Sequence, residues 1–599
     1  MLKKFTLVAA TMFFAFSCDF YDLDINVDPN NPIVTTADLL LPSIQYDWAG
    51  DYQFMHNVSA GIMGHTSNSD GLGFTQNSFD GIWRSVYLNE VADLDEYIKS
   101  AGVTDANDVL LTPAALAVGQ VLKAHIFTTM VDLFGDVPFS EASLGNDDGN
   151  VNPAFDAQAD IYTACFELVD QAIANLDVAV LEPEGDLIYR GDIDSWKAAA
   201  YSLKLKMLIQ VRGATGFSYG SGVDAEIRDL IDNNSGEMIS SNADNFGFRY
   251  NTNVDQGQRH PWMGAVYGGD NAFSYISHQL MYEMLINGDP RIAYYFNRQT
   301  TAILDQEDPT DQNTTPCSQN SACIYGYMVL NENVMTELQG AGVITDVTSN
   351  GDRGYIASFF GRDKGDPSGV PLDGALRTAP GVYPMGGQFD DGVSKINSSD
   401  GLGLGDGSTF FITAPMVSLY KMEAYLQIYN DEAAARTELA NFLDLSFDLV
   451  ESASTAIAGT DATAMTAAAI SAATAHDHVV DPADYTIAAL ARYDAAGDKM
   501  NVVFKEAWYS MWGAGLELYN SHRRSDYPRM KAEQSGSRGI ADIQYPTFRA
   551  TGGTSGQRDF PIRWTYPISE FNLNSNLTDI LVSDGASGIF WDSQLFKYN

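Results

Sequence analysis

Apolar side chains recur at helical spacing in five stretches of this chain. After Thr112-Pro113, which read as an N-cap and an N1 proline, Leu116, Leu122, Ile126 and Met130 follow at near-helical intervals until Gly135 and Pro138 stop the run, so a helix is predicted there. Asp160 to Val180 repeats the design, with Ile161, Cys165, Leu168, Ala172 and Leu176 on one face. Ser195 reads as the cap of a third helix that contains Trp196, Leu203 and Met207 and carries Lys204, Lys206 and Arg212 on its polar side. A fourth is expected from Phe410 to Tyr429, and a fifth from about Met500 to Tyr519, burying Phe504, Trp508, Met511, Gly515 and Tyr519. Regular strand alternation is missing between them, and the pattern therefore predicts a mainly α protein. No repeat of about 34 residues stands out, so the pattern alone does not give a tetratricopeptide architecture. Residues 213–275 and 300–408 are rich in Gly, Asn, Asp, Thr and aromatics and read as long loops, which in compact domains are usually functional. The Ala/Thr/Ser tract at 452–474 fits either a helix or a flexible insertion.

The amino terminus changes the picture from a fold to a location. Lys3 and Lys4 precede the apolar run Phe5 to Phe16, long enough for the core of a signal peptide and short of the ~20 residues a bilayer span needs. The run ends in Ala15-Phe16-Ser17-Cys18, where small residues three and one positions before the cysteine resemble a bacterial lipoprotein signal, although Ala15 stands where Leu is usual. Residues 1–17 are thus expected to be removed and Cys18 to carry acyl chains, leaving 18–599 as one compact unit. The alternative is an ordinary secreted protein with a free Cys18. Asp19, Asp22 and Asp24 behind it resemble the surface-export signal of Bacteroidota lipoproteins, which places the protein on the outer membrane facing the exterior. In such an oxidising compartment the spacing of Cys317 and Cys323 favours a local disulfide over a pair of free thiols or a metal pair, and Cys165 reads as core.

Composition then narrows the partners. The 599 residues are 45% hydrophobic and only 19% charged, which excludes a disordered chain. A formal net charge of −44 would repel polyphosphate, so nucleic acid is excluded as a partner. The 30 Tyr, 31 Phe and 8 Trp supply apolar faces, many with polar handles, and make neutral polar ligands plausible.

Several motifs resemble one family. Leu133-Phe134-Gly135-Asp136-Val137-Pro138-Phe139-Ser140-Glu141-Ala142 looks like a signature of the SusD/RagB nutrient-binding outer-membrane lipoproteins. Trp83-Arg84-Ser85-Val86-Tyr87, Tyr189-x-Gly191-Asp192 before Trp196, and Asp289-Pro290-Arg291 resemble its other motifs, in order. His522-Arg523-Arg524-Ser525-Asp526-Tyr527-Pro528 and Arg563-Trp564-Thr565-Tyr566-Pro567 with Glu570 resemble the closing motifs of its SusD-like starch-binding branch. The chain departs from the family at 452–474 and at Leu419-Tyr420-Lys421-Met422-Glu423-Ala424, where a plainer apolar-Lys-Ala-Glu-Ala pattern is more usual. The resemblance implies paired, tetratricopeptide-like helices scaffolding a loop-rich binding face. It also implies a SusC-like TonB-dependent transporter as partner, and an oligosaccharide or, less often, a peptide as ligand.

Catalytic motifs are poor by comparison, and no enzymatic activity is expected. The sequence has no His-Glu-x-x-His, no Gly-x-Ser-x-Gly and no Walker loop, and Gly401-x-Gly403-x-Gly405-x-Gly407 reads as a turn-rich loop. His476-x-His478, on a polar, Ala-flanked stretch, reads as solvated and not as a metal site. No cofactor is called for. Asn146 to Asn150 and Asp305 to Asp311 gather hard oxygen ligands, compatible with structural calcium but more simply read as solvated turns. A sugar site needs an aromatic platform flanked by Asn, Asp or Arg. The densest such loop runs from His260-Pro261-Trp262 through Tyr267, Asp270, Asn271 and Phe273 to Tyr275, and Phe74, Asn77, Phe79 and Asp80 form a second. Trp83, Trp196, Trp508 and Trp512 sit in helical apolar stripes and read as core, whereas Trp262 could be either platform or packing. A secreted glycoside hydrolase and a structural adhesin remain the rival readings.

Overall fold

The computed structural model describes residues 37–67, 78–143, 149–253, 257–267, 275–298, 332–359, 361, 378–390, 405–455, 475–531, 543–544, 548–549, 557–558, 563–577 and 588–592. Its frame is helical. The principal helices are α1 (Ala37–Ile62), α2 (Ala92–Ala101), α3 (Pro113–Phe134), α4 (Gln158–Val178), α5 (Ile193–Val211), α6 (Val223–Asn233), α7 (Ala414–Ala424), α8 (Glu432–Thr455), α9 (Pro482–Ala495), α10 (Lys499–Ser510) and α11 (Gly515–Ser525). Neighbours in sequence pack on one another from α1 through α6 and again from α7 through α10, and α1 with α11 and α5 with α7 join the two runs. Polar contacts show the antiparallel sense within pairs. Gln120 of α3 meets Gln171 and Asn175 near the end of α4, while Asp132 near the end of α3 accepts from Tyr162 near the start of α4.

The strongest sequence pattern becomes α3, with Pro113 in its first turn and Gly135 just past its end. Its side chains are buried on every face, because α2, α4 and α5 enclose it. Thr112 does not cap it; the hydroxyl donates to the Ala101 carbonyl at 3.2 Å. Likewise Asp192, not Ser195, caps α5, accepting from the Asp194 amide, and Ser195 only donates to the Asp192 carboxylate.

Two predicted helices change form. The fourth begins as a strand: Phe246–Arg249 (β1) pairs antiparallel with Ser408–Ile412 (β2), Phe246 opposite Ile412, and the helix starts only at Ala414. The fifth divides into α10 and α11 around Gly513, whose φ of +87° is a conformation that side-chain-bearing residues rarely adopt. Gly515 then lets α11 lie against α1, since a Cβ there would stand 2.3 Å from the Ala60 amide nitrogen. The tracts read as loops also hold short helices at Pro261–Tyr267, His278–Ile286, Glu332–Gly340 and Asn350–Ala357. Strands are otherwise brief pairs among the described residues.

Candidate ligand-binding face

Loops gather where α1 ends. Beyond Ile62, Thr66–Ser67 pairs with Tyr275–Ile276, and Phe296–Asn297 pairs with Ala379–Pro380. Helix Pro261–Tyr267 is tied down on both sides. The His260 amide donates to the Gly405 carbonyl at 2.7 Å, and the Tyr267 hydroxyl donates to the Pro380 carbonyl while accepting from the Gln388 amide, both at 2.9 Å. Beneath these loops runs a row of rings. Trp262 meets Trp512 at 5.8 Å between centroids, Trp512 stacks on Tyr295 at 6.1 Å, Tyr295 on Tyr383 at 5.6 Å, and Tyr383 on Phe410 at 6.3 Å.

The aromatic residues singled out as platforms belong to this floor or to the core beside it. Trp262 and Tyr267 are 2% exposed, Tyr275 8% and Phe79 1%, so none offers an open face to a ligand in this structure. The Trp262 indole donates to Asn57 of α1 in a close hydrogen bond, and Phe79 is covered by Trp564. Of its two readings, packing is the role this structure gives Trp262. Asp270, Asn271, Phe273, Phe74 and Asn77 lie outside the described residues, as do Cys18, Cys317 and Cys323. The helical tryptophans Trp83, Trp196, Trp508 and Trp512 are buried, as is Trp48, whose indole donates to His125 at 3.0 Å.

A polar chain that the sequence reading placed in solvent lies inside. His476 is 1% exposed. Its Nε2 is 2.8 Å from Asp390 Oδ2, which also accepts from Arg298 Nε at 2.7 Å. On its other side His476 Nδ1 is 2.9 Å from the Tyr355 hydroxyl, which in turn is 3.1 Å from His478 Nδ1. Burial raises the Asp390 pKa, but the Arg298 guanidinium and His476 outweigh it and hold the carboxyl below its usual range. Burial also pushes both histidines down, His478 to about 3. With an anionic Asp390 and neutral rings, one proton order satisfies every link: His476 Nε2–H donates to Asp390, Tyr355 donates to His476, and His478 Nδ1–H donates to Tyr355. The chain binds four segments of the loop-bearing side to one another. The expected solvated His-x-His is therefore a buried strut, and spacing alone gave no sign of it because its partners are remote in sequence.

The recurrent motifs are similarly structural. Asp289 and Arg291 form a buried bidentate pair, at 2.8 and 2.6 Å, whose guanidinium reaches on to Ser446 at 3.0 Å and to Ser510. Arg524 joins Glu423 at 3.1 Å to Glu517 at 3.2 Å, and Lys206 meets Glu517 at 3.3 Å, all inside the core. Burial opposes charge on Glu517, yet Lys206 and Arg524 hold its pKa below the ordinary glutamate value. In the Leu133–Ala142 segment the amides of Phe139 and Ser140 both donate to Asp156 at 2.8 Å. Asp186 plays the same part before α5, receiving the Ile188, Tyr189 and Gly191 amides, the Trp196 indole at 2.8 Å and Gln45 of α1 at 2.7 Å.

A family described as starch-binding and associating with the outer membrane matches residues 29–332. Among curated proteins no relative matches. Among solved structures, a chitin-binding protein superposes with a TM-score of 0.62 at 17% identity, over 93% of this chain and 100% of its own. A SusD homolog from Bacteroides fragilis gives 0.58 at 17% identity, over 91% of this chain and 94% of its own. A SusD/RagB family protein from Bacteroides thetaiotaomicron gives 0.58 at 16% identity, over 94% and 98%. At such identities the likeness establishes the fold.

Proposed function

The chain belongs to the SusD-like family, and from that premise we propose that it is a surface lipoprotein that captures an oligosaccharide and passes it to a SusC-like TonB-dependent transporter. Starch or nutrient binding associated with the outer membrane is what the family carries. The observation that supports the finer reading is the division of labour in the fold. A rigid helical frame ends in loops whose bases are pinned by buried rings and by the Asp390–His476–Tyr355 chain, as a binding face with an unvarying foundation requires. We assign the contacts to the segments rooted between Tyr267 and Tyr275 and just before Phe79, which place Asp270, Asn271, Phe273, Phe74 and Asn77 above that foundation. Cys18 carries the anchor, Cys317 and Cys323 are joined, and the protein binds its ligand without turning it over.

Detergent-solubilised outer membrane and a glycan titration test this together. A large β-barrel should come down with the protein, and malto- or chito-oligosaccharides should bind and be recovered uncut. Recovery of shortened oligosaccharide would overturn the binding-protein reading in favour of a hydrolase, and a glycan-binding protein with no barrel would remove the transporter.

A further inference from the structure

Three chain segments meet at the end of the scaffold remote from the loops. The side chains of Asp51 and Glu90, and of Asp47 and Asp93, face one another across α1 and the stretch leading through α2, so these helices run antiparallel and α1 begins beside the end of α2. The bond from Thr112 to Ala101 brings the start of α3 to the same place, and the antiparallel packing of α3 and α4 brings the end of α4 there too. Gln45 of α1 closes the group by donating to Asp186 in the connection after α4.

This end is aliphatic. Leu39, Val103, Val109, Leu111, Val180 and Leu181 are each more than half exposed, Val180 at 86%. They come from the first turn of α1 and two neighbouring connections, so they form a patch and not scattered single residues. The patch is built. The Asp105 carboxylate accepts from the Asn107 and Val109 amides at 2.7 and 3.0 Å, and the Leu111 amide donates to the Val103 carbonyl at 3.1 Å, which together hold the 102–112 connection in a fixed shape. Neither 102–112 nor 178–187 contains Lys or Arg, and Asp105, Asp108, Glu182 and Glu184 stand among the aliphatic residues.

The chain outside the described residues indicates what covers this end. Cys18 lies 19 positions before Ala37, and fully extended chain spans about 3.3–3.6 Å per residue, so an anchor at Cys18 keeps this end within about 70 Å of the lipid. The loop-bearing end is the other end of α1, whose 26 residues span roughly 39 Å. We propose that the aliphatic end is a second, reversible membrane contact, which inserts Val109, Leu111, Val180 and Leu181 into the interface of an electrically neutral lipid surface beside the acyl anchor. The proposal rests on the lipoprotein reading above. It follows the rule that stable attachment takes two signals, and the acidic neighbours exclude the usual second signal, a basic patch. They also set the lipid preference, because anionic headgroups would repel them.

The test uses the full chain carrying Cys18→Ala, free of acyl chains, co-sedimented with phosphatidylcholine/phosphatidylethanolamine vesicles. The protein should bind, the combined variant Val109→Ser, Val180→Ser, Leu181→Ser should bind at least tenfold less with an unchanged melt, and adding phosphatidylglycerol at low salt should weaken binding. Absent vesicle binding, or equal binding by the triple variant, would overturn the proposal. So would self-association of the unlipidated protein that the triple variant abolishes, or deuterium-exchange protection of 178–181 that disappears when residues 19–36 are removed, since either would show the patch covered by protein. The mass of wild-type protein from membranes separates the two claims: an unacylated Cys18 defeats the lipoprotein reading, whereas an acylated Cys18 with no vesicle binding by Cys18→Ala defeats only the patch.

Discussion

The Phe79 ring lies flat on the Trp564 indole, with centroids 4.1 Å apart and planes 11° from parallel. This contact joins the entry to helix Asp80–Ser85 with the closing segment of the chain, and it sits in a larger knot. The Trp564 amide donates to the Leu133 carbonyl, Arg563 to the Phe134 carbonyl at 3.1 Å, and the Tyr566 hydroxyl to the Asp136 carbonyl at 2.7 Å. The Leu133–Ala142 and Arg563–Pro567 motifs are therefore two halves of one junction, which accounts for their appearing in the same chain.

Trp564→Ala removes a fully buried ring from that junction and is expected to cost about 3–5 kcal/mol of stability. Chemical denaturation followed by tryptophan fluorescence and circular dichroism measures it. A loss below about 1 kcal/mol would mean the closing segment is not docked as described.

How much of this was legible depended on whether the deciding partner was near in sequence. α3 could be read because its apolar spacing, its proline and Gly135 are all local. Phe410-Phe411-Ile412 could not, since a short unbroken apolar run fits a buried strand as well as a helix, and only the pairing with Phe246 decides. A loop with Trp262, Tyr267 and neighbouring Asn and Asp looks the same from sequence whether its rings face in or out. Asn57, in α1, settles it for Trp262, and nothing in the local pattern points to that residue. The His476 strut was missed for the same reason: Asp390 and Tyr355 stand 86 and 121 positions away. Family-like motifs fared better because each records a local turn held by one carboxylate, as Asp186 and Asp156 show.

Trp262→Ala should behave as a core substitution. It opens a cavity among His260, Trp512 and α1 and is expected to lower stability by about 3–5 kcal/mol, visible as a clear fall in melting temperature. An unchanged melt with lost glycan binding would return Trp262 to the binding surface.

The opposite outcome is expected of Phe273→Ala and Asp270→Asn. If the 268–274 connection carries ligand contacts above the buried floor, each substitution should weaken oligosaccharide binding by roughly tenfold, about 1.4 kcal/mol, at an unchanged melting temperature. Calorimetric titration beside a thermal scan reads both quantities. Full affinity in both variants would remove this loop from the site.

Glu90 supplies a pH dependence with a definite sign. Its carboxyl is wholly buried on the single-turn-wide π-helical stretch Val86–Val91, beside Asp51 of α1. Burial first, and the neighbouring Asp51 charge second, push its pKa up from 4.5 to about 9. The folded protein therefore keeps a proton that the unfolded chain releases above about pH 4.5, so this group's contribution to stability declines as pH rises from there toward 9, by at most about 1.4 kcal/mol per unit. Glu90→Gln has the shape of the protonated acid and cannot ionise. The variant should match wild type near pH 5 and exceed it increasingly at pH 7 and 8, with its amide able to donate to Asp51. Urea unfolding of both proteins at a series of pH values gives the difference directly. A constant gap between the two curves, or a variant that loses ground as pH rises, would show that the pair is not held together by a shared proton.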